Sequence, residues 1–243
     1  MKKAFLMLIA LVTINCYSSN NVDNKNSIKE QTMNKSICIV ESGTGSSKEL
    51  LDLCKEIMPD VKVYQIIDDS LLPEMIANGG LTKDVNRRFI NCYLQAESLG
   101  VDAIFHQCVV GGDIPNLVEP FINTPIIRID EGMMHKALET GNKIAVFAFV
   151  KAALNCSCSL LQRIAEKECK SIHIDRHLLD KSSDIREEVI KAAKDNDVII
   201  LAQPSMTSQL PKLQNIGKPV LTAPRTGIEY LYKRIMENKE INR

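Results

Sequence analysis

From residue 36 onward the chain alternates short, almost wholly apolar runs with longer stretches in which apolar residues recur every three or four positions. Runs at 36–41, 61–67, 102–108, 125–129, 143–148, 171–174, 197–203 and 220–221 read as strands. Most of them lack polar alternation, which is the pattern of strands covered on both faces. The intervening stretches predict helices over 48–58, 81–100 with Thr82 as N-cap, 131–140 closed by Gly141, 154–167, 183–195 and 226–238, plus a short helix after Cys108. Repeated strand–helix alternation predicts an α/β fold of parallel sheets with helices on both faces.

One strand pattern occurs twice. Asp102-Ala-Ile-Phe-His-Gln-Cys108 is matched by Asp197-Val-Ile-Ile-Leu-Ala-Gln203, each an acidic residue, an apolar run and a polar residue six positions on. A Pro-initiated strand follows, 17 residues after Cys108 and 16 after Gln203. We read this as a duplicated unit giving two similar lobes, 36–141 with 222–243 and 142–221, related by a pseudo-twofold axis with a cleft between them. Buried strands resemble one another, so the repeat alone leaves chance similarity open. Cys108 would stand at the carboxyl end of its sheet, where open α/β folds place ligands. The backbone amides of Val109, Val110 and Gly111, entering the next helix, would offer donors to an anion.

Composition narrows the partners. Lys plus Arg and Asp plus Glu each number 30, so there is no basic excess to hold a nucleic-acid backbone. Tryptophan is absent and aromatics are 5%, which removes the usual stacking platforms for bases. A small, polar, non-aromatic ligand suits such a chain better. The eight cysteines are too few for a disulfide scaffold and read as mostly buried thiols.

Residues 1–16 carry Lys2-Lys3, an apolar run of about 11 residues and then Cys16, the order of a bacterial lipoprotein signal with a lipidated cysteine. Residues 17–35, rich in Ser, Asn and Lys, would form a flexible tether, placing the protein in the cell envelope with Cys16 as lipid anchor. The alternative is a true start at Met33 and a cytoplasmic protein.

For chemistry, a Cys108 thiolate would be base or nucleophile, favoured by the helix amino terminus beyond it. His106 shares its strand face, as a proton-transfer partner or as a core histidine. Asp68 and Asp69 end the second strand, where one could orient a substrate ammonium or cap a helix. Glu41 and Thr44 flank the first strand's Gly/Ser/Thr turn, which lacks the spacing of nucleotide-binding loops. Ser205 and Thr207 after Gln203 mirror the amides after Cys108. Arg225 could fork onto a ligand carboxylate or form a surface ion pair. Cys156-Ser-Cys158 with Cys169, His173 and His177 fits no common zinc spacing, so no metal is expected.

Ile67-Asp-Asp-Ser-Leu-Leu72, Asp102 through Cys108, Pro125 through Glu131, Lys143-Ile-Ala-Val146 and Asp197 through Gln203-Pro-Ser-Met206, in that order, resemble the aspartate/glutamate racemase superfamily. The resemblance covers nearly all of the chain from Ser36. It implies a cofactor-independent isomerase, a homodimer, and a site in which two cysteines face each other across the cleft. Cys108 matches the first. Gln203 stands at the second, and an amide is no base near neutral pH. The chain resembles a branch in which Gln-x-Ser-Met is usual there, with Gln203, Ser205 and Met206 toward the substrate. One thiol then suffices for decarboxylation, double-bond isomerisation or one-sided proton transfer, while a non-catalytic metabolite-binding lipoprotein is the remaining alternative.

Overall fold

The computed structural model describes residues 35–237 apart from 46 and 181. The leader with Cys16, the tether up to residue 34 and the alternative start at Met33 lie outside the described residues.

Eight parallel strands form two sheets. The first holds β1 (Ser36–Glu41), β2 (Lys62–Ile67), β3 (Ala103–His106) and β4 (Ile126–Arg128) in the order β2-β1-β3-β4. The second holds β5 (Lys143–Ala148), β6 (His173–Leu178), β7 (Val198–Leu201) and β8 (Val220–Thr222) in the order β6-β5-β7-β8. The duplication extends to register. Ile37 pairs with Ala103 as Ile144 pairs with Val198, and His106 pairs with Arg128 as Leu201 pairs with Thr222. Cys108 and Gln203 therefore leave their sheets at equivalent points, two residues beyond β3 and β7. The acidic residue opening each repeat also has one job in both lobes. Asp102 accepts the Ser36 N–H at 2.8 Å, and Asp197 accepts those of Asn142 and Lys143 at 3.1 and 3.0 Å, tying the start of the neighbouring strand.

The helices are α1 (Ser47–Ile57), α2 (Leu71–Ala77), α3 (Lys83–Ser98), α4 (Ile114–Val118), α5 (Glu131–Thr140), α6 (Lys151–Lys167), α7 (Ile185–Ala193) and α8 (Ala223–Glu237). Thr82 caps α3 as expected, its hydroxyl accepting the Val85 N–H at 3.2 Å. Four details differ from the sequence reading. The last edge strand of the second lobe runs to Leu178, because its alternating polar residues disguise it. A turn precedes α4, so no helix starts directly after Cys108. The segment after β7 is 3-10 helix, Pro204–Leu213, where Pro211 removes a donor that an α-helix would need. Gly141 has extended backbone rather than a left-handed cap, and glycine is required there because a Cβ would lie 2.3 Å from that of Asp197.

The main core joins both sheets' facing sides with α8, while Phe147, Ile185, Val189, Ile199, Leu201 and Met206 belong to a second cluster on the outer side of the second sheet. The C-terminal helix α8 packs on α5 and on the end of β4 through two glycines. A Cβ on Gly132 would sit 2.1 Å from the Thr226 carbonyl oxygen, and one on Gly227 2.2 Å from that of Ile129. Both obstacles are backbone, so alanine at either position is expected to push α8 off β4 and cost about 1–3 kcal/mol in urea unfolding. Wild-type stability for both variants would refute this close approach.

Burial raises the thiols of Cys38 and Cys156 to about 11 and that of Cys54 to about 12, against 9.0 in the unfolded chain. Between those limits the unfolded chain has lost protons that the folded one keeps, so stability falls as pH rises. The melting temperature should hold up to about pH 9 and decline with increasing slope above it. Among the described residues no helix is long and apolar enough to cross a membrane.

Candidate active site

The turn from Cys108 to Asp113 meets α6 of the second lobe through the Cys156 thiol and Arg163. Cys108 itself is buried, with only 4% of its surface exposed, but its surroundings are polar. The Ser42 hydroxyl and the backbone N–H groups of Gly111 and Val110 lie near its sulfur and favour its charged form. Ser42 directly follows β1, so two adjacent parallel strands deliver the hydroxyl and the thiol to one edge.

Burial pushes the Cys108 thiol up. The Ser42 hydroxyl, the two amides and the buried Arg128 guanidinium pull it back without reversing the direction. This corrects the expectation of a favoured thiolate: the donors are present, but desolvation outweighs them in the empty site. What the arrangement supplies is a ring of donors ready for negative charge on sulfur or on a ligand oxygen beside it.

Gln203 occupies the corresponding point of the other lobe and does something different. Its Oε1 accepts the N–H groups of Phe149 and Val150 at 2.7 and 3.1 Å. In each lobe the group after the third strand is thus bound by the segment after the first, through a side-chain hydroxyl in one and through backbone amides in the other. With its oxygen engaged, the end that Gln203 can offer a ligand is its NH2 group, a donor to oxygen and never a base.

His106 lies under the turn, its Nδ1 bonded to the Tyr93 hydroxyl at 2.7 Å and its ring packed against Phe89. Burial, aided by Arg128, pushes its pKa down to about 3. The carbonyls of Cys108 and Gly111 oppose this, yet are too poorly aligned to count as hydrogen bonds, leaving Nε2 without one among the described residues. His106 is therefore neutral at physiological pH and props the turn rather than carrying protons.

The remaining candidates divide. Glu41 is fully buried at the end of β1, accepting from Ser47 at 2.6 Å and Gln65 at 2.7 Å, so it ties the post-β1 turn to α1 and β2. Burial raises its carboxyl above the usual range. Thr44 is exposed at the tip of that turn. Val109 and Val110 are buried beside Cys108. Asp68 is held by Arg88 and Ser70, and that engagement lowers its carboxyl despite partial burial. Ser205 is exposed, Thr207 bonds to the Pro204 carbonyl at 2.8 Å, and Met206 packs into the outer core. Arg225 forks onto Glu56 of α1 at 3.0 and 2.8 Å on the surface, which gives it a protein carboxylate as partner.

Sequence reasoning missed Ser42, Arg128 and Asp130, and took Cys156 for ordinary burial. The Cys156 thiol in fact reaches across from α6 to the Val110 carbonyl at 3.6 Å and Asp113 at 3.7 Å. Among the described residues no group of three His, Cys, Asp or Glu is placed to hold a metal ion. A hollow of about 480 Å³ lies at the opposite pole, lined by residues including Gly141, Lys170 and Asp197 at the amino-terminal edge of the second sheet. Nothing reactive faces it, and the Cys108 turn remains the better chemical candidate.

Sequence comparison matches no family model and no curated protein. Solved structures do match. Glutamate racemase from Francisella tularensis in complex with D-glutamate superposes with a TM-score of 0.62 at 18% identity, covering 85% of this chain and 83% of that one. Allantoin racemase from Klebsiella pneumoniae gives 0.58 at 15%, covering 83% and 87%, and an arylmalonate decarboxylase gives 0.53 at 13%, covering 84% and 94%.

The chain has the fold of these racemases and of the decarboxylase.

Within this racemase fold the neighbours carry different reactions on one two-lobed frame, so the frame itself does not choose among them.

Proposed function

We propose that the chain is a cofactor-independent enzyme of the racemase and isomerase type, acting on a small amino acid or carboxylate with Cys108 as proton carrier or nucleophile. The observation that carries this reading is the sulfur itself, buried at the carboxyl edge of a parallel sheet and ringed by one hydroxyl and two backbone N–H donors. Binding energy from a substrate carboxylate would place an acidic C–H against the sulfur, and Ser42 with the Val110 and Gly111 amides would stabilise the thiolate that accepts or returns the proton. On the other side the Gln203 NH2 would hold a carboxylate or enediolate oxygen.

A second reading is a one-sided reaction, decarboxylation or cis-trans isomerisation. Gln203 favours it, because a site with a single acid–base group delivers protons to one face only. Incubating a panel of amino acids and dicarboxylates in deuterated water separates the readings. Exchange with inversion supports racemisation, deuterated product of one hand supports decarboxylation, and binding without any turnover leaves a metabolite-binding protein. Lipid anchorage through Cys16 belongs to the same proposal, and the intact mass of the mature amino terminus tests it.

A further inference from the structure

The Cys108 turn is gripped from outside by charges that the proposed chemistry has not used. Arg128, at the end of β4, is buried with 2% of its side chain exposed. Its Nε and Nη2 donate to the two oxygens of Asp130 at 2.9 and 2.8 Å, and its Nη1 donates to the Gly112 carbonyl at 2.6 Å. Glycine is required at 112, since a Cβ there would lie 2.3 Å from Nη2 and 2.9 Å from the Val109 carbonyl oxygen. The second lobe provides an internal control. At the same register β8 has the half-buried Thr222 where β4 has Arg128, and Pro224 follows where Asp130 does. The fold therefore does not need a buried ion pair at this point. Only the lobe that carries the thiol has one.

We infer that Arg128, locked on Asp130, is a positioning residue that holds the 109–113 turn so that its amides stay aimed at the Cys108 sulfur. The inference rests on reading Cys108 as the reacting thiol. The carbonyls of the turn are engaged on its outer side, Gly112 by Arg128 and Val110 by the Cys156 thiol. The peptides are trans, so a carbonyl and the N–H of the same peptide point to opposite sides. Arg128 reaches the sulfur-facing amides through Gly112, whose carbonyl it holds and whose N–H donates to the Val109 carbonyl at 3.1 Å, the oxygen of the peptide that carries the Val110 N–H. The Val110–Gly111 peptide thus has Cys156 at its oxygen and Cys108 at its N–H. The guanidinium adds a fixed positive charge behind the turn, which favours charge on sulfur. The other titratable and charged groups packed around the turn are Tyr93 from α3, His106 from β3, Asp113 within it, Asp130 and Glu131 after β4, and Cys156 and Arg163 from α6, the last paired with Asp113 at 3.6 Å.

The test is the titration of the Cys108 thiol, read as the thiolate ultraviolet absorbance of each protein minus that of the same protein carrying Cys108→Ala. Arg128→Lys keeps a charge but loses the fork, and Arg128→Met combined with Asp130→Asn removes the pair without stranding a buried carboxylate. The double variant is expected to titrate about one pH unit higher than wild type, a tenfold loss of thiolate at a given pH, with Arg128→Lys between the two. A folded double variant that melts lower but titrates Cys108 at the wild-type midpoint would overturn the inference and leave Arg128 a purely structural residue. The titration needs no substrate. A shifted midpoint in a protein that turns over nothing would therefore sink the proposed reaction and leave the positioning role standing.

Discussion

Cys108→Ala is expected to reduce turnover of whatever substrate the wild-type protein accepts by roughly 10²–10⁴-fold, the range for losing a positioned acid–base group. The change removes one sulfur from the main core beside Val109 and Val110, so the fold of the variant is checked alongside its activity. Exchange of substrate protons with solvent deuterium, followed by NMR alongside circular dichroism of the variant, is the measurement. Wild-type exchange in Cys108→Ala would end the case for a thiol mechanism. The direction of the thiol's shift adds a second readout. Burial holds Cys108 protonated in the empty site, so the active thiolate becomes more abundant as pH rises, and kcat/KM should climb from neutral pH into the alkaline range. The ascending limb must precede the alkaline loss of stability set by the other buried thiols, which begins at about pH 9.

The strands, their parallel order and the equivalence of Cys108 with Gln203 were legible because a doubly covered strand leaves an apolar run that no surface helix mimics. The repeat with Asp102 and Asp197 at its head carried real geometry, since each carboxylate ties the next strand by its backbone. What could not be read was burial in three dimensions. A thiol beside amides suggests an acidic sulfur, but burial reverses the direction, and burial depends on packing that no local stretch of sequence displays. Ser42 was hidden inside a turn whose glycines drew attention to phosphate binding. Arg128 left one usable signal, a charged residue within Pro-Ile-Ile-Arg-Ile-Asp with its countercharge two positions on. On extended backbone that spacing puts both side chains on one face. Edge strands and 3-10 segments escaped for a simpler reason, as their polar residues alternate with no covering layer to fix a pattern.

Asp130→Ala is expected to be the most destabilising single change in the protein, at about 3–5 kcal/mol. Asp130 has no exposed surface and holds the Arg128 guanidinium through both oxygens, with Ser157 of α6 donating to the same carboxylate at 3.4 Å. Alanine removes the countercharge and leaves a guanidinium, which cannot shed its proton, in a dry site with the Gly112 carbonyl as its remaining side-chain hydrogen-bond partner. Solvent must enter, or the turn must open, and either result costs most of the burial around β4. Replacing both members, Arg128→Met with Asp130→Asn, should cost much less, because the penalty lies in the unpaired charge and not in the loss of attraction. Urea unfolding of the two variants decides the matter: a loss below about 1 kcal/mol for Asp130→Ala would mean that water already reaches the pair. A single variant costing more than the double, with the Cys108 titration moved in both, would tie stability and thiol chemistry to the same buried charge.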